Sequence, residues 1–437
     1  MHIYSRQVDT RKGLLALSPL LILIVFIVVF TMYSVNKDDT APDISLTLAF
    51  MASSIFAIIS SKGMPVSKRI ETYSRGAGEG NLMLMLWIYI LAGVFAASAK
   101  GMGSIDATVS TVVNYLPSNM LLPGLFMATC FISLSIGTSV GTIVALVPIA
   151  VGIASSTGFS IPITTAVIVG GAYFGDNLSF ISDTTVVATQ TQQCQLNDKF
   201  KANFMIVLPA AVLILIVYAF MGADIQAPAT EKAVNWIKVL PYLAVLITAI
   251  AGMNVMAVLT LGIILCGIIG ICNGDYTITT WASTMGKGIN DMGELIIIAM
   301  MAGGMLGIIK ANGGIDFIIG KITAHVKGKR GAELSIAALV SMVNLCTANN
   351  TVAILTVGNI AKNIGDKYGV DNRKAASILD TFSCFVQGLI PYSVQILLAS
   401  GLSGVSPTDI IPYLFYPMAI GVSATLAILF RLPKKYS

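Results

Sequence analysis

Charge is what this sequence lacks most. Of 437 residues, 11% are Asp, Glu, Lys or Arg and 56% are hydrophobic, where a typical soluble domain carries about 25% charge. A soluble chain of this length needs charged surface to cover its domains. The shortage excludes an ordinary soluble enzyme, a nucleic-acid binder and a disordered protein, so no nucleic-acid partner is expected. Histidine is nearly missing as well, with only His2 and His325. One sits at the N-terminus and one in a Lys-rich stretch, which argues against a zinc centre or a histidine relay. The six cysteines (Cys130, Cys194, Cys266, Cys272, Cys346 and Cys384) contain no CxxC, and most lie in apolar runs, where cysteine acts as a small packing residue. No GxxxxGK[ST] or HExxH occurs, so ATP-driven transport and zinc-dependent hydrolysis have no motif. Neither enzymatic activity nor a cofactor is expected.

Long apolar runs are present instead. Stretches able to cross a bilayer lie at 13–33, 44–61, 81–99, 203–222, 253–273, 291–309 and 412–430, with a shorter one at 236–251. The first lacks a small-residue cleavage site and reads as a span rather than a removed signal. Four further regions, 121–157, 163–193, 335–361 and 377–402, are apolar but interrupted by Gly, Pro, Ser, Thr, Asn and Asp. Polar breaks at membrane depth survive only when buried in protein or lining a wet cavity.

The chain also repeats itself. At an offset of 210, Gly76, Gly78, Ala92, Gly93, Lys100, Gly103, Ile105 and Asp106 fall on Gly286, Gly288, Ala302, Gly303, Lys310, Gly313, Ile315 and Asp316. The offset brings spans and broken regions into register, which chance similarity between Gly- and Ala-rich segments does not explain well. Paired interrupted segments in two halves point to a transporter's binding site. Loop charge sets the orientation. Loop 62–80 (Lys62, Lys68, Arg69, Arg75) and the N-terminus (Arg6, Arg11, Lys12) are expected inside, and 34–43 (Asp38, Asp39, Asp43) outside. Loop 310–334 is basic and also expected inside, so 81–99 leaves a basic loop whereas its counterpart 291–309 arrives at one. The copies then run in opposite directions.

Inversion needs an odd number of crossings between corresponding helices. Treating 121–157 and 335–361 as re-entrant hairpins gives five crossings per half. Loops 195–202 (Lys199, Lys201) and 362–376, and the C-terminus, then fall inside, and 223–235 and 403–411 outside. The expected fold is all-α, an inverted repeat of 5+5 transmembrane helices. Residues 1–235 and 236–437 form the halves, each with a hairpin and a broken helix (163–193, 377–402), and both termini are cytoplasmic. The alternative counts each hairpin as one or two true crossings.

The breaks supply hydroxyls, amides and freed carbonyls, oxygen ligands of the kind a hard cation takes. In the first half the candidates are Thr138, Ser139 and Thr142, then Asp176, Asn177, Ser179, Ser182, Asp183 and Thr184. In the second they are Asn349, Asn350 and Thr351, then Asp380, Ser383 and Gln387. A charged side chain at a helix centre costs about 2.5–3.5 kcal/mol on insertion scales, so Asp176 and Asp183 are the sharpest signal. They form a candidate site where Na⁺ and a proton compete. The plainer reading makes each Asp a helix cap and the Ser and Thr residues packing glue. Asp291 and Glu294 read as a solvated helix start or as a funnel.

The stretch Gly170-Gly171-Ala172-Tyr173-Phe174-Gly175-Asp176-Asn177 through Ser182-Asp183-Thr184-Thr185 resembles the signature of the NhaC-type sodium/proton antiporter family. The Gln387-Gly388-Leu389-Ile390-Pro391-Tyr392-Ser393 segment and the two hairpin candidates extend the likeness over most of the chain. The resemblance implies the ion-transporter superfamily fold, with inverted repeats and re-entrant hairpins. It also implies site roles for Asp176, Asn177, Ser179, Ser182, Asp183 and Thr184. One departure is Phe180, where the family usually has Pro; losing Pro removes a fixed kink and restores an N–H donor. The family also includes carriers of organic acids and amino acids.

The leading expectation is a secondary antiporter in the inner (plasma) membrane that exchanges Na⁺ for H⁺ by alternating access. The competing readings are a Na⁺- or H⁺-coupled carrier of a small organic solute and, less favoured, a passive channel. The expected partners are Na⁺, H⁺ and the lipid bilayer, and a homodimer stays open.

Overall fold

The apolar stretches fall on helices. The computed structural model describes residues 10–36, 45–61, 63–223, 235–324 and 326–436. Asp38, Asp39, Asp43, Arg6, Lys62, both histidines and most of 223–235 lie outside the described residues. Among the described residues there is no strand.

The first half runs α1 (Thr10–Asn36), α2 (Leu46–Ser60), α3 (Val66–Ala77), α4 (Gly80–Gly101), α5 (Ser104–Tyr115), α6 (Leu121–Ile136), α7 (Ser139–Thr157), α8 (Ile161–Leu178), α9 (Asp183–Gln192) and α10 (Leu196–Met221). The second runs α11 (Trp236–Ile250), α12 (Val255–Cys272), α13 (Ile278–Asp291), α14 (Gly293–Ala311), α15 (Gly314–Thr323) and α16 (Gly328–Thr347). It continues with α17 (Asn350–Tyr368), α18 (Asn372–Gln387), α19 (Val394–Ser403), α20 (Pro407–Ile410) and α21 (Phe415–Leu429).

Six stretches among the described residues are long and apolar enough to cross a membrane, and four shorter helices, α2, α6, α11 and α21, are apolar too. Large apolar side chains such as Val25, Phe131, Met205, Leu213, Ile268 and Val422 are exposed on these helices. A soluble protein would bury so much apolar surface; a bilayer solvates it.

Regions expected as loops contain helices. In 62–80, α3 starts after Pro65 and stops at Gly78. In 310–334 lie α15 and the first two turns of α16. α3 carries too many charges to read as a span, yet its apolar residues recur at helical spacing, as suits an interfacial helix. The expected loop 195–202 is likewise the start of α10, which begins before its apolar run.

The halves cross through glycine. α3 of the first half packs on α14 of the second, and α13 of the second on α4 of the first. A Cβ on Gly93 would lie 2.3 Å from the Gly288 carbonyl oxygen, and one on Gly76 would lie 2.4 Å from that of Gly303. These backbones touch, which only glycine allows. Other contacts pair off in the same way: α7 with α19 and α17 with α9, α12 with α4 and α2 with α14. One apolar cluster joins most helices; a second centres on α16, α17 and α18, with α9 and the end of α21.

Candidate functional site

Two helix links and two helix breaks meet in the interior. α6 ends where Gly137 takes φ 74°, Thr138 is extended at φ −145°, and α7 begins at Ser139. α16 ends where Ala348 takes φ 49°, Asn349 is extended at φ −145°, and α17 begins at Asn350. The two-residue links share one geometry. Asn349 caps α17 by accepting from the Val352 N–H at 3.0 Å. Between α8 and α9 runs Ser179-Phe180-Ile181-Ser182; between α18 and α19 runs 388–393. α18 itself is started by Asp371, which accepts from the Arg373 N–H at 2.9 Å. The Arg373 guanidinium holds that carboxyl below the usual range.

Between the links lies a cavity of about 60 Å³. Thr138, Ser139, Asp176, Ser182, Asp183 and Thr184 line it from the first half, and Asn349, Asn350, Thr351 and Gln387 from the second. Asp176 is 4% exposed, and its Oδ1 accepts from the Ser139 N–H at 3.1 Å. The first amide of α7 therefore points at a carboxylate, and the positive end of the helix favours that charge. The Asp176 carbonyl accepts from the Thr184 and Thr185 hydroxyls at 3.1 and 3.2 Å, which ties α9 to the end of α8.

The halves are joined across the cavity by a chain of amides. Gln395 Nε2 donates to Ser139 Oγ at 3.1 Å. Gln387 Nε2 donates to Gln395 Oε1 and to the Ala348 carbonyl, each at 2.9 Å. Gln387 Oε1 is buried and has no hydrogen-bond partner.

The two acidic residues of the first break do not share one environment. Asp183 is exposed at the first residue of α9, at the rim of the cavity, while Asp176 is deep. Phe180 stacks on Phe200 of α10 with centroids 4.8 Å apart, and Phe200 on Phe204. This stack fastens the break where the resemblance has Pro.

Five expected residues lie behind the cavity wall rather than on it. The Thr142 hydroxyl donates to the Thr138 carbonyl, Ser179 to Leu134, and Ser383 to Asp380. Asn177 and Asp380 belong to a second cluster, with Lys199 at its centre. Lys199 Nζ lies 2.7 Å from Asp380 Oδ2, 2.7 Å from the Asn177 carbonyl and 2.6 Å from Thr185 Oγ1. Asn203 Nδ2 donates to the same Asn177 carbonyl and to Asp380 Oδ2, and Tyr416 donates to Asn177 Oδ1. A further buried pair, Lys374 with Glu333 at 3.6 Å, lies toward the start of α18.

Sequence reasoning placed Lys199 in an inner loop. Its signal was the spacing to Asn203, four residues on and so on the same helical face. Gln395 and Met85, which also line the cavity, gave no such signal.

A wide cleft of about 1330 Å³ lies at the other end of α7 and α19. The first turns of these helices line the small cavity; Pro148, Val151, Ser400 and Ser403 line the cleft. Buried Val147 and Leu398 lie between. Asp106, Asp291, Glu294, Asp409 and Lys100 line the cleft, and Glu294 accepts from the Thr47 hydroxyl at 2.8 Å.

Apolar helices that expose their flanks and turn buried polar breaks inward make up a multi-pass membrane transporter. The chain belongs to the Na⁺/H⁺ antiporter family, whose model matches residues 12–223 and 229–433. It is 26% identical over 400 residues to the Na⁺/H⁺ antiporter NhaC of Bacillus subtilis, covering 82% of this chain and 85% of that one. It is 25% identical over 373 residues to the arginine/ornithine antiporter ArcD of Halobacterium salinarum, covering 77% and 76%. The crystal structure of the YdaH transporter of Alcanivorax borkumensis is 13% identical, at TM-score 0.40, and the match covers 95% of this chain and 99% of that one.

Proposed function

We propose that the protein exchanges Na⁺ for H⁺ at Asp176, which takes either ion in turn. The observation that carries this reading is a buried carboxylate in a cavity of about 60 Å³ lined by hydroxyls, amides and backbone. A water takes about 30 Å³, whereas small-molecule pockets run to roughly 300–1,000 Å³. The cavity suits a nearly bare cation. Asp176 supplies charge; Ser139, Thr184, Asn350 and the free Gln387 Oε1 supply neutral oxygens. Proton and cation exclude one another because each neutralises the same carboxylate.

In this reading the chain is an inverted repeat of 1–235 and 236–437. α6–α7 and α16–α17 are the re-entrant hairpins, and both termini face the cytoplasm. The paired contacts of the two halves and the shared link geometry support it. Asp183 at the rim receives ions on one side, the cleft receives them on the other, and the apolar layer around Val147 and Leu398 closes the path to the cleft. Alternating access then moves that layer, as inverted halves permit.

The test uses purified protein in liposomes with an internal pH dye and an imposed Na⁺ gradient. Wild type should show a Na⁺-driven pH change, and Asp176→Asn should abolish it while the protein stays folded. No response in wild type would sink the reading. A response kept by Asp176→Asn would place the site elsewhere. The 1330 Å³ cleft can admit an organic solute, and one relative is named an arginine/ornithine antiporter. Uptake of labelled amino acids or dicarboxylates by the same vesicles separates that second reading.

A further inference from the structure

The Lys199 ammonium sits in an oxygen cage. One carboxylate oxygen, one carbonyl and one hydroxyl surround Nζ, at 2.7, 2.7 and 2.6 Å. This is the mixed oxygen set that hard cations take. The cage is closed: the side chains of Lys199 and Asp380 are 1% and 0% exposed. It also holds more acceptor than the ammonium uses, since Asp380 Oδ1 is buried without a hydrogen-bond partner. An ion pair serving packing alone has no need of a spare buried acceptor, whose desolvation goes uncompensated.

The cage adjoins the small cavity. The Asn177 carbonyl follows Asp176 directly, and Thr185 donates to the carbonyl of Asp176 itself. Lys199 reaches in from α10, Asp380 comes from α18, and the carbonyl is the loosened end of α8. Ions could therefore collect at two neighbouring carboxylates, but one of them already has a cation attached to the chain.

We infer that Lys199 is a tethered cation filling a latent second alkali-cation site made by Asp380, the Asn177 carbonyl and Thr185. It thereby restricts the exchanged ion to Asp176. The last clause rests on the proposed function; the latent site does not. Asp380, expected from sequence to bind the transported ion, is in this reading the seat of the internal charge.

Removing the amine should uncover the site. Binding of radiolabelled Na⁺ to purified Lys199→Ala should double relative to wild type, and methylammonium should displace the added ion. NaCl, unlike choline chloride, should raise the unfolding temperature of Lys199→Ala more than that of wild type, because a ligand of the folded state stabilises it. The added ion should vanish in Lys199→Ala/Asp380→Asn. Lys199→Met, which fills the space without charge, should bind as wild type does.

Lys199→Ala binding no more Na⁺ than wild type overturns the inference. So does added binding that survives Asp380→Asn. If Lys199→Ala unfolds at low salt, recovery in NaCl but not in choline chloride supports the site. A chain unfolded at every Na⁺ concentration, while Lys199→Met/Asp380→Leu folds, counts against it. Wild type binding no Na⁺ would overturn the proposed role of Asp176 and leave the comparison of variants readable.

Discussion

Three carboxylates stood out in a sequence poor in charge, and the structure gives each a different setting. Asp176 is buried beside the first amide of α7, Asp183 is exposed at the cavity rim, and Asp380 is paired with Lys199. Burial of Asp176 was legible because the residues before it, Gly170 to Gly175, are all small or apolar. The rim position of Asp183 was not, because it depends on where the chain leaves α8, and Phe180 stacking on Phe200 helps set that. The pairing of Asp380 was hidden by distance along the chain: Lys199 is 181 residues away. The different settings of the first two lead to different mutant kinetics. Asp183→Asn should raise the Na⁺ concentration for half-maximal exchange by roughly two- to fivefold, the ~1 kcal/mol of an exposed charge contact. Its maximal rate should stay near wild type, whereas Asp176→Asn should show no exchange. Initial rates of the internal dye against Na⁺ concentration separate the two. A maximal rate lost in Asp183→Asn would move that residue from the rim into the site.

At the scale of elements, apolar length was the readable signal and amphipathic helices were the blind spot. Stretches such as 81–99 and 253–273 lie on α4 and α12, whereas α3 falls within the expected loop 62–80 and α13 between two expected spans, because neither is a continuous apolar run. Those two helices carry the crossing contacts, so part of what holds the halves together was invisible in hydropathy. The glycines that permit the contacts were visible, as Gly76, Gly93, Gly288 and Gly303 in the repeat, but their role needs the partner backbone. Gly93→Val should push α13 from α4, since its Cβ would sit 2.3 Å from a carbonyl oxygen. Overpacking of this kind costs about 1–3 kcal/mol. The detergent-solubilised variant should unfold at lower temperature than wild type, while Gly286→Ala, with open space around its Cβ, should not. Equal melting curves for Gly93→Val and wild type would show that the contact is not tight in solution.

For the whole molecule, the proposed inversion makes a statement about sides. α3 and α13 occupy matching places in the two halves and should face opposite compartments. Single cysteines at Arg75 and Lys287, in a chain whose six native cysteines are replaced, should therefore label differently in oriented vesicles. A membrane-impermeant thiol reagent should reach one from inside and the other from outside. Labelling of both from the same side would rule out the inverted arrangement. The amide chain between the halves carries one more consequence. A backbone carbonyl can only accept, so Ala348 obliges Gln387 to present its NH₂. Gln395 must then turn its oxygen toward Gln387 and its NH₂ toward Ser139, leaving the Ser139 proton free to turn toward the cavity that Asp176 also lines. The polarity of four groups over two halves is thus dictated by a single atom at the second link. Whatever moves Ala348 must either carry this one-way chain along whole or break it, so the protein has no graded way to adjust the carboxylate from across the cavity.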